Sequence, residues 1–399
     1  MSRRNAARVC ATLVAGACAA VAVAEAAWLL PLERETRQTP FANPRKDPRW
    51  AVDDSRAPLV RELALRQARV WAPPADPSTA DLAANPSDPD GNLSGDVVRC
   101  RYLDGPHEGT TPKFDCVLPN GEIVKVKYGS TTEIQGELAA SRFLTALGFG
   151  ADRMFLVHHL RCFGCLRSPY YAARLLDSLH LREAVQSHVP DDRYSDFEWA
   201  AVERRFEGRE IVSYDRQGWG WWELDRIDPS RGANWAERDA LRLASMVIAH
   251  SDNKPSNQRL VCETVRDASD ICPRPFALIH DLGDTFGLNN GGLAQWKKAE
   301  IWKNRERCAV IMREFPNDSA TFPERYISEE GRQLLARELR TLNDAQIEAF
   351  FLSTRITRVS ASGNGNADAW VQAMRDKIHE IVDGPPCPET AALAVSPAF

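Results

Sequence analysis

Between Asp96 and Gly148 the hydrophobic pattern changes from the period of strands to the period of a helix, and this change constrains the fold more than any other feature. The runs VVRCRYL, KFDCVL and EIVKVKYG alternate apolar and polar residues, and Asn120-Gly121 favours a tight hairpin between the last two. The next run, TTEIQGELAASRFLTALGFG, has helical spacing, with Thr132 and Gln135 as a capping box. The sequence therefore predicts a small antiparallel sheet followed by one helix.

The second half of the chain is predicted to be mainly helical. A helix from about Trp235 to Ala249 begins with a capping box at Asn234 and Glu237 and leads into a polar loop. Two extended runs, QRLVC and RPFALIH, follow the loop, and helical spacing returns in the last third. Residues 153–182 are interpreted as a continuation of the sheet, and residues 195–235 as irregular.

The N-terminus has the parts of a secretory signal peptide. Arg3, Arg4 and Arg8 precede the uncharged run VCATLVAGACAAVAVA, and Ala-x-Ala sites lie at its end. The run is short for a membrane span, and the charged residue Glu25 comes directly after it. We therefore expect residues 1–26 to be cleaved on export to the periplasm or the cell exterior, so that no stable membrane span remains. The alternative is an uncleaved membrane anchor.

Eight cysteines follow the predicted signal peptide, and an even number in an exported chain indicates disulfides. Three pairs are close in sequence, and they leave one distant pair; the predicted disulfides are Cys100–Cys116, Cys162–Cys165, Cys262–Cys272 and Cys308–Cys387. Sequence alone does not prove this connectivity. The segment HHLRCFGC (158–165) also has His and Cys at spacings that can bind zinc.

Composition excludes one class of partner and leaves an aromatic run with two interpretations. The net charge of −5 gives no sign of a nucleic-acid-binding surface, and an apolar content of 44% is that of a globular protein. The run GWGWWELD (218–225) either packs in the core or forms an aromatic platform for a sugar or a nucleotide base.

The polar loop after the Trp235 helix reads HSDNKPSN (250–257), and it resembles the catalytic loop of protein-kinase-like enzymes, His-x-Asp-x-Lys-x-x-Asn. Asp281-Leu282-Gly283 is similar to the Asp-Phe-Gly segment of that family. Lys127 on a strand and Glu137 on the next helix are similar to its lysine–glutamate pair. The longer segment DLGDTFG, in an exported chain with disulfides, is more similar to secretory-pathway and other atypical kinases.

The resemblance covers roughly residues 96–385 and implies an α+β, two-lobed protein-kinase-like fold. A small β-sheet lobe with one main helix would be followed by a larger helical lobe. The implied organisation is a signal peptide in 1–26, an N-terminal extension with a Pro-rich linker in 27–94, a first lobe in 95–185, a second lobe in 186–385, and a tail in 386–399.

The resemblance also implies a role for each site residue. Lys127 would hold the inner phosphates of a nucleotide and Glu137 would hold Lys127, although Lys125 lies on the same face of the strand. Asn257 and Asp281 would bind Mg²⁺ or Mn²⁺, with Asp284 as a possible further ligand. Asp252 would orient the proton of the acceptor, and Lys254 would contact the transferring phosphoryl group. His250 is expected to brace the loop through hydrogen bonds.

The chain departs from the family pattern at three places, one of which is a longer gap between Asn257 and Asp281 than in ordinary protein kinases. No Gly-x-Gly-x-x-Gly precedes Lys127, where GPHEGTTPK (105–113) stands instead, and no Ala-Pro-Glu follows Asp281-Leu282-Gly283. The sequence nevertheless favours an exported phosphotransferase that uses ATP or another nucleoside triphosphate and an unknown protein, glycan or small-molecule acceptor. The alternatives are a catalytically silent kinase-like binding protein, transfer of the nucleotidyl group, and a disulfide-stapled structural protein whose polar loop only caps a helix.

Overall fold

The structure is a computed structural model, and the part of the chain that it describes has several gaps. The described residues are 30–35, 40–45, 56–74, 81–107, 109–204, 206, 208–213, 218–263, 272–311, 324–358 and 365–389. The predicted signal peptide, residues 1–26, lies outside the described residues. Within the described part, no helix combines the length and the apolar character that crossing a membrane requires.

Strands and helices alternate along the described chain. The strands are β1 (Glu33–Arg34), β2 (Val98–Leu103), β3 (Lys113–Val117), β4 (Ile123–Lys127), β5 (Arg153–Phe163), β6 (Arg193–Arg204), β7 (Arg209–Glu210), β8 (Gln258–Cys262), β9 (Pro275–Ile279), β10 (Ala309–Val310) and β11 (Arg325–Tyr326). The helices are α1 (Ala57–Arg66), α2 (Thr132–Ala146), α3 (Pro169–Ser178), α4 (Arg182–Gln186), α5 (Trp235–Val247), α6 (Leu293–Lys298), α7 (Glu329–Leu339), α8 (Asp344–Ser353) and α9 (Ala367–Val382). The chain therefore has a mixed α and β fold.

The chain divides into two compact units. The first unit comprises the described residues of 1–45, 88–129 and 157–202, and the second those of 46–87, 130–156 and 203–399. Helix α2 therefore belongs to the second unit, although it follows the strands of the first unit directly in sequence. The domain boundaries predicted from sequence stay a prediction.

The first unit contains a six-stranded sheet with the order β1-β6-β4-β3-β2-β5. The predicted meander is confirmed, because β2 pairs antiparallel with β3 and β3 pairs antiparallel with β4. Strand β5 pairs parallel with β2 and also pairs with β6, so β2 to β6 form a closed ring of strands. Phe114, Tyr128 and Phe197 pack together, with ring centroids 4.9–5.6 Å apart.

The second unit is mainly helical and contains the larger core. Helix α5 packs against α7, and α9 packs against both α7 and α8. Trp296 stacks on Trp370 with ring centroids 5.5 Å apart, and both side chains are buried. A short sheet, β7-β8-β9, contains the two predicted extended runs as an antiparallel hairpin. This hairpin joins the polar loop to the Asp281 segment.

Two predictions for residues 153–235 are partly wrong. Residues 169–178 and 182–186 form helices α3 and α4 rather than sheet, and Ser168-Pro169 supplies the helix start signal. Residues 193–204 form β6 rather than irregular structure, so the sheet continues past residue 185. In β6 the buried positions become continuous after Trp199, which hides the alternation of a strand from a pattern search.

The helix ends follow the sequence signals at all but one of the predicted sites. Asn234 and Glu237 form the predicted capping box of α5, and Gly148 adopts a φ of +86° just after α2. The capping box predicted at Thr132 is wrong, because α2 begins there with Thr131 as the N-cap and without a side-chain cap. The Thr132 hydroxyl instead donates to Asn289 Oδ1 at 2.6 Å.

The four predicted disulfides are present. They join Cys100–Cys116, Cys162–Cys165, Cys262–Cys272 and Cys308–Cys387, with Cα–Cα separations of 5.5–5.7 Å. The first links β2 to β3, as the sequence predicts, and the third closes the β8–β9 hairpin. Because Cys162 pairs with Cys165, the disulfide interpretation of HHLRCFGC is confirmed over the zinc interpretation.

Candidate active site

The polar loop 250–257 begins where helix α5 stops. Ala249 adopts a φ of +49°, and the backbone N–H of His250 donates to Ser245 O at 3.1 Å. This left-handed residue turns the chain away from the helix axis. The loop therefore leaves a buried helix in a fixed direction, which holds its polar side chains in place.

Asp252 and Lys254 form an ion pair within the loop. Lys254 Nζ donates to Asp252 Oδ2 at 2.7 Å and to Oδ1 at 3.0 Å. Both side chains are partly exposed, at 39% for Lys254 and 36% for Asp252. The pair thus presents one acceptor group and one cation at the surface of the second unit.

Asn257 connects the loop to the strand that precedes Asp281. Its Nδ2 donates to the backbone carbonyl of Asp252 at 2.8 Å, and its own backbone carbonyl accepts from the N–H of His280 at 2.8 Å. Since the amide nitrogen is bound to backbone, Oδ1 is the Asn257 atom that a cation would use. Gln258, which sequence reasoning missed, is buried and donates from Nε2 to Asn253 O and Lys254 O.

The prediction that His250 braces the loop through hydrogen bonds is wrong for its side chain. The ring is fully buried, and neither ring nitrogen has a hydrogen-bond partner in the described structure. Its centroid lies 6.4 Å from that of Trp221. Burial lowers the pKa of His250 to about 4, so the ring is neutral at pH 7. His250 therefore supports the loop by packing, since neither ring nitrogen makes a hydrogen bond in the described structure.

The segment DLGDTFG (281–287) packs against both the polar loop and helix α2. Ser251 N–H donates to Asp284 O at 3.1 Å, and Phe286 N–H donates to Ile248 O at 2.7 Å. The Thr285 hydroxyl donates to Gly136 O on α2 at 3.1 Å. These contacts bring Asp281 and Asp284 to the same side of the unit as Asp252.

Asp281 has a strained backbone. Its φ is +50°, a region that non-glycine residues rarely adopt. Such conformations cost free energy and persist where the surrounding structure enforces them, often at functional sites. This conformation lowers local stability, and it sets the direction in which the Asp281 side chain leaves the backbone.

Asp284 adds a third carboxyl group. Its Oδ1 is buried and has no hydrogen-bond partner in the described structure. Burial raises the pKa of Asp284 and the charges of Asp252 and Asp281 raise it further, whereas hydrogen bonds from Ser251 and Asn289 oppose the rise. A cation bound beside Asp284 would relieve the repulsion from its two acidic neighbours. With Asn257 the three carboxyl groups supply hard oxygen donors, so they fit Mg²⁺ or Mn²⁺.

Glu137 and Lys127 are buried, and they belong to different units. Glu137 lies on α2 in the second unit with 1% exposure, and Lys127 lies at the end of β4 in the first unit with 4% exposure. Lys125 is only half-buried, so Lys127 is the better candidate for a lysine that needs a buried anion. The predicted ion pair between Lys127 and Glu137 stays a prediction.

A basic cluster lies in the first unit beside the loop that precedes β3. Burial lowers the pKa of His107, the carboxylate of Asp115 opposes this, and the positive charges of Lys113, Lys125 and Arg182 lower it further. His107 Nε2 is buried without a hydrogen-bond partner in the described structure. Sequence reasoning missed this cluster because Arg182 is about 75 residues away from His107.

Two of the three tryptophans of GWGWWELD, Trp219 and Trp221, pack in the core. Trp219 and Trp221 are buried at 0% and 1% exposure, with ring centroids 5.2 Å apart. Trp219 Nε1 donates to Arg259 O at 3.1 Å, which ties the run to β8. The packing interpretation therefore holds for these two rings, and neither offers a platform to a ligand.

Comparison with known proteins gives a distant structural match. No family model matches the chain, and no curated protein matches it. The chain is similar to the crystal structure of the proinflammatory kinase CtkA from Helicobacter pylori. The match covers 74% of this chain and 96% of that chain, with 11% sequence identity and a TM-score of 0.40. Values this low do not define a family, so function is inferred from the side chains of the site.

Proposed function

We propose that this chain is an exported, kinase-like phosphotransferase that moves the terminal phosphoryl group of a nucleoside triphosphate to an acceptor. One observation carries the proposal. The hydrogen bonds of Ser251 and Asn257 hold the loop 250–257 against the 281–287 segment, so that Asp252, Asp281 and Asp284 interact electrostatically. If the polar loop only capped a helix, as in the structural-protein alternative, nothing would require three carboxyl groups to lie near one another.

In the proposed mechanism, the chain positions charge rather than forming a covalent intermediate. Asp281 and the Asn257 Oδ1 hold the divalent cation, with Asp284 as a third ligand. The bound cation neutralises phosphate charge. Asp252 accepts a hydrogen bond from the acceptor hydroxyl and orients it toward the phosphorus atom. Lys254, already paired with Asp252, places its ammonium where negative charge develops.

Lys127 and Glu137 have the other role that the proposal needs. Lys127 holds the inner phosphates, and Glu137 holds Lys127. Their burial supports this assignment, because a lysine and a glutamate are rarely buried this far without opposite charges.

The acceptor and the compartment are also part of the proposal. The four disulfides support the proposal that the protein works in an oxidising compartment. The proposed acceptor is therefore an exported protein, a glycan or a small molecule outside the cytoplasm. The runner-up is a kinase-like binding protein without turnover, and it differs from the first proposal only in product formation.

Two measurements on the purified full chain test the proposal. ATP with Mg²⁺ or Mn²⁺ at a hundred times the dissociation constant should stabilise the fold by about 2.7 kcal/mol. Incubation with γ-³²P-labelled ATP and a periplasmic extract should label a protein, a glycan or a small molecule. Asp281→Asn should lose both effects, whereas the exposed Asp376→Asn on α9 should keep both.

The outcomes separate the candidate functions. Stabilisation without labelling supports the binding protein, and label transferred only from α-³²P-labelled ATP supports nucleotidyl transfer. If ATP and the divalent ion change neither the stability of the wild type nor the label, the proposal is wrong.

A further inference from the structure

A second group of metal-binding side chains lies in the second unit, apart from the proposed active-site ligands. It consists of Asp152, Glu203 and His280, whose carboxylate oxygens and ring nitrogen lie within 4.8 Å of one another. His280 Nδ1 contacts Asp152 Oδ2 and lies 3.9 Å from Glu203 Oε1. We call this group the Asp-Glu-His triad.

The triad is buried. Asp152 has 5% exposure, Glu203 1% and His280 9%. The three side chains include two carboxylates and one imidazole. Their summed charge is −1 when the imidazole is protonated and −2 when it is neutral, in a low-dielectric environment. With a neutral imidazole, a divalent cation would neutralise the two carboxylates of the triad, whereas a proton on His280 would neutralise only one of them.

The geometry of the donors suits a single ion. Zinc binds nitrogen and carboxylate oxygen tetrahedrally at about 2.0–2.2 Å, so two of its ligands lie about 3.3–3.6 Å apart. The 3.9 Å between His280 Nδ1 and Glu203 Oε1 is a few tenths of an ångström wider than this. All three donors lie within 4.8 Å of one another, so metal binding would draw them slightly closer together.

The chain fixes the three residues from three separate elements. Asp152 directly precedes β5, Glu203 lies near the end of β6, and His280 directly follows β9. Ala151 bridges Ile279, and the N–H of Ile279 donates to Gly150 O at 3.0 Å. Backbone pairing therefore holds Asp152 beside His280 without help from the side chains, as a preformed site requires.

We infer that the Asp-Glu-His triad binds a divalent transition-metal ion, Zn²⁺ or Mn²⁺, through Asp152, Glu203 and His280 Nδ1. One nitrogen and two oxygen donors suit these ions better than Mg²⁺, which prefers oxygen alone. Binding at Nδ1 requires the neutral imidazole with its proton on Nε2. The inference shares no ligand with the proposed nucleotide site and does not depend on phosphotransfer.

Metal binding by the full chain without nucleotide tests the inference. The chain is stripped with a chelator and titrated with Zn²⁺ and with Mn²⁺, and bound metal is measured by mass spectrometry after gel filtration. The Asp281→Asn variant should retain one ion per chain. Glu203→Gln and His280→Gln, introduced into Asp281→Asn, should weaken that binding by roughly tenfold or more. His379→Gln, at an exposed histidine of α9, is the matched control and should change nothing.

A spectroscopic readout keeps the test decisive if a triad variant fails to fold. Mn²⁺ bound to Asp281→Asn should show magnetic coupling to the nitrogen of an imidazole in pulsed electron paramagnetic resonance. The inference is overturned if Asp281→Asn retains no metal, if no nitrogen coupling is seen, or if folded Glu203→Gln binds as tightly as its parent. Each of those results would indicate a triad held together by a proton on His280.

Discussion

The backbone carbonyl of Asp284 accepts hydrogen bonds from both the N–H and the hydroxyl of Ser251, at 3.1 and 3.3 Å. Two donors from one residue fix the position of Asp284 relative to the loop that begins at His250. The backbone from which the Asp284 carboxyl group extends is thereby held near Asp252 and Asp281, whose charges act on that carboxyl group. The stability of this part of the chain is therefore coupled to the charge of Asp284.

Asp284→Asn should stabilise the metal-free chain and weaken its response to Mg²⁺. The pKa of Asp284 is raised by burial and by its acidic neighbours, so its ionisation opposes folding increasingly as pH rises above about 4. An amide removes that opposition at pH 7 and also removes a cation ligand. Thermal unfolding with chelator and with Mg²⁺ measures both effects. Asp376→Asn should change neither, and equal Mg²⁺ stabilisation in Asp284→Asn and wild type would contradict the ligand role.

Gly136→Ala should destabilise the fold by about 1–3 kcal/mol, although alanine is the better helix former by about 1 kcal/mol. A Cβ at residue 136 would lie 2.7 Å from Gly283 O and 3.1 Å from Thr285 Oγ1. The nearest atom, Gly283 O, belongs to the backbone, so it cannot move aside as the end of a flexible side chain would. Urea unfolding measures the cost. Gly95→Ala is the control, since its Cβ would meet nothing nearer than 3.8 Å; an equal effect in both would rule out the close approach as the cause.

Acid should destabilise the wild type more than a His250→Leu variant. Burial lowers the folded-state pKa of His250 from 6.5 to about 4, so its favourable contribution is complete above pH 6.5 and is lost between pH 6.5 and 4. At pH 5 the loss is about 2 kcal/mol. The measurement is the change in unfolding free energy between pH 7.5 and 5 for each chain. His379→Leu should behave like the wild type; a His250 ring that titrates near 6.5 by NMR would refute the prediction.

Removing the Cys308–Cys387 disulfide should cost more stability than removing Cys262–Cys272. The first spans 79 residues and the second 10, and loop-closure entropy gives about 4.5 and about 2.7 kcal/mol respectively. Paired Cys→Ala variants and guanidinium unfolding under oxidising conditions provide the comparison. The reverse order would mean that native contacts, rather than the unfolded chain, set the cost.

Arg61→Met should destabilise the second unit by about 3 kcal/mol. Arg61 on α1 binds both carboxylate oxygens of Glu223 at 2.8 and 3.1 Å, and the Glu223 side chain has 0% exposure. Removing the arginine takes away the bidentate cation of a buried carboxylate, and Arg226 lies farther from that carboxylate, at 3.7 Å. Arg66→Met, in an exposed pair with Glu62, should cost less than about 1 kcal/mol. A smaller loss in Arg61→Met/Glu223→Gln than in Arg61→Met would confirm the uncompensated charge as the cause.

The parts of the fold that sequence predicted well are those that short-range chemistry determines. The alternation and turn of β3 and β4, the capping box at Asn234 and the local disulfides all depend on residues within a few positions, or within one hairpin, of each other. Strand β6 was missed for the opposite reason. Its exposed and buried positions depend on strands that are distant in sequence, including β1 and β4, which no local pattern contains.

The candidate site shows the same division. The motifs around Asp252 and around Asp281 are each continuous in sequence, so their residues could be identified from local spacing. The group formed by Asp152, Glu203 and His280 brings together residues that are 51 to 128 positions apart, because 203 − 152 = 51 and 280 − 152 = 128. Only the pairing of the strand ends makes them neighbours, and no spacing rule contains that information.

The contact between Gly136 and Gly283 has a mechanical consequence. Because Gly136 has no side chain, the backbone of α2 comes close to the carbonyl of Gly283, and a Cβ at residue 136 would lie only 2.7 Å from that oxygen. A ligand that displaced Asp281 by a fraction of an ångström would therefore push directly on the helix that carries Glu137. A ligand bound at Asp281 would therefore change the position of Glu137 without the motion of a hinge.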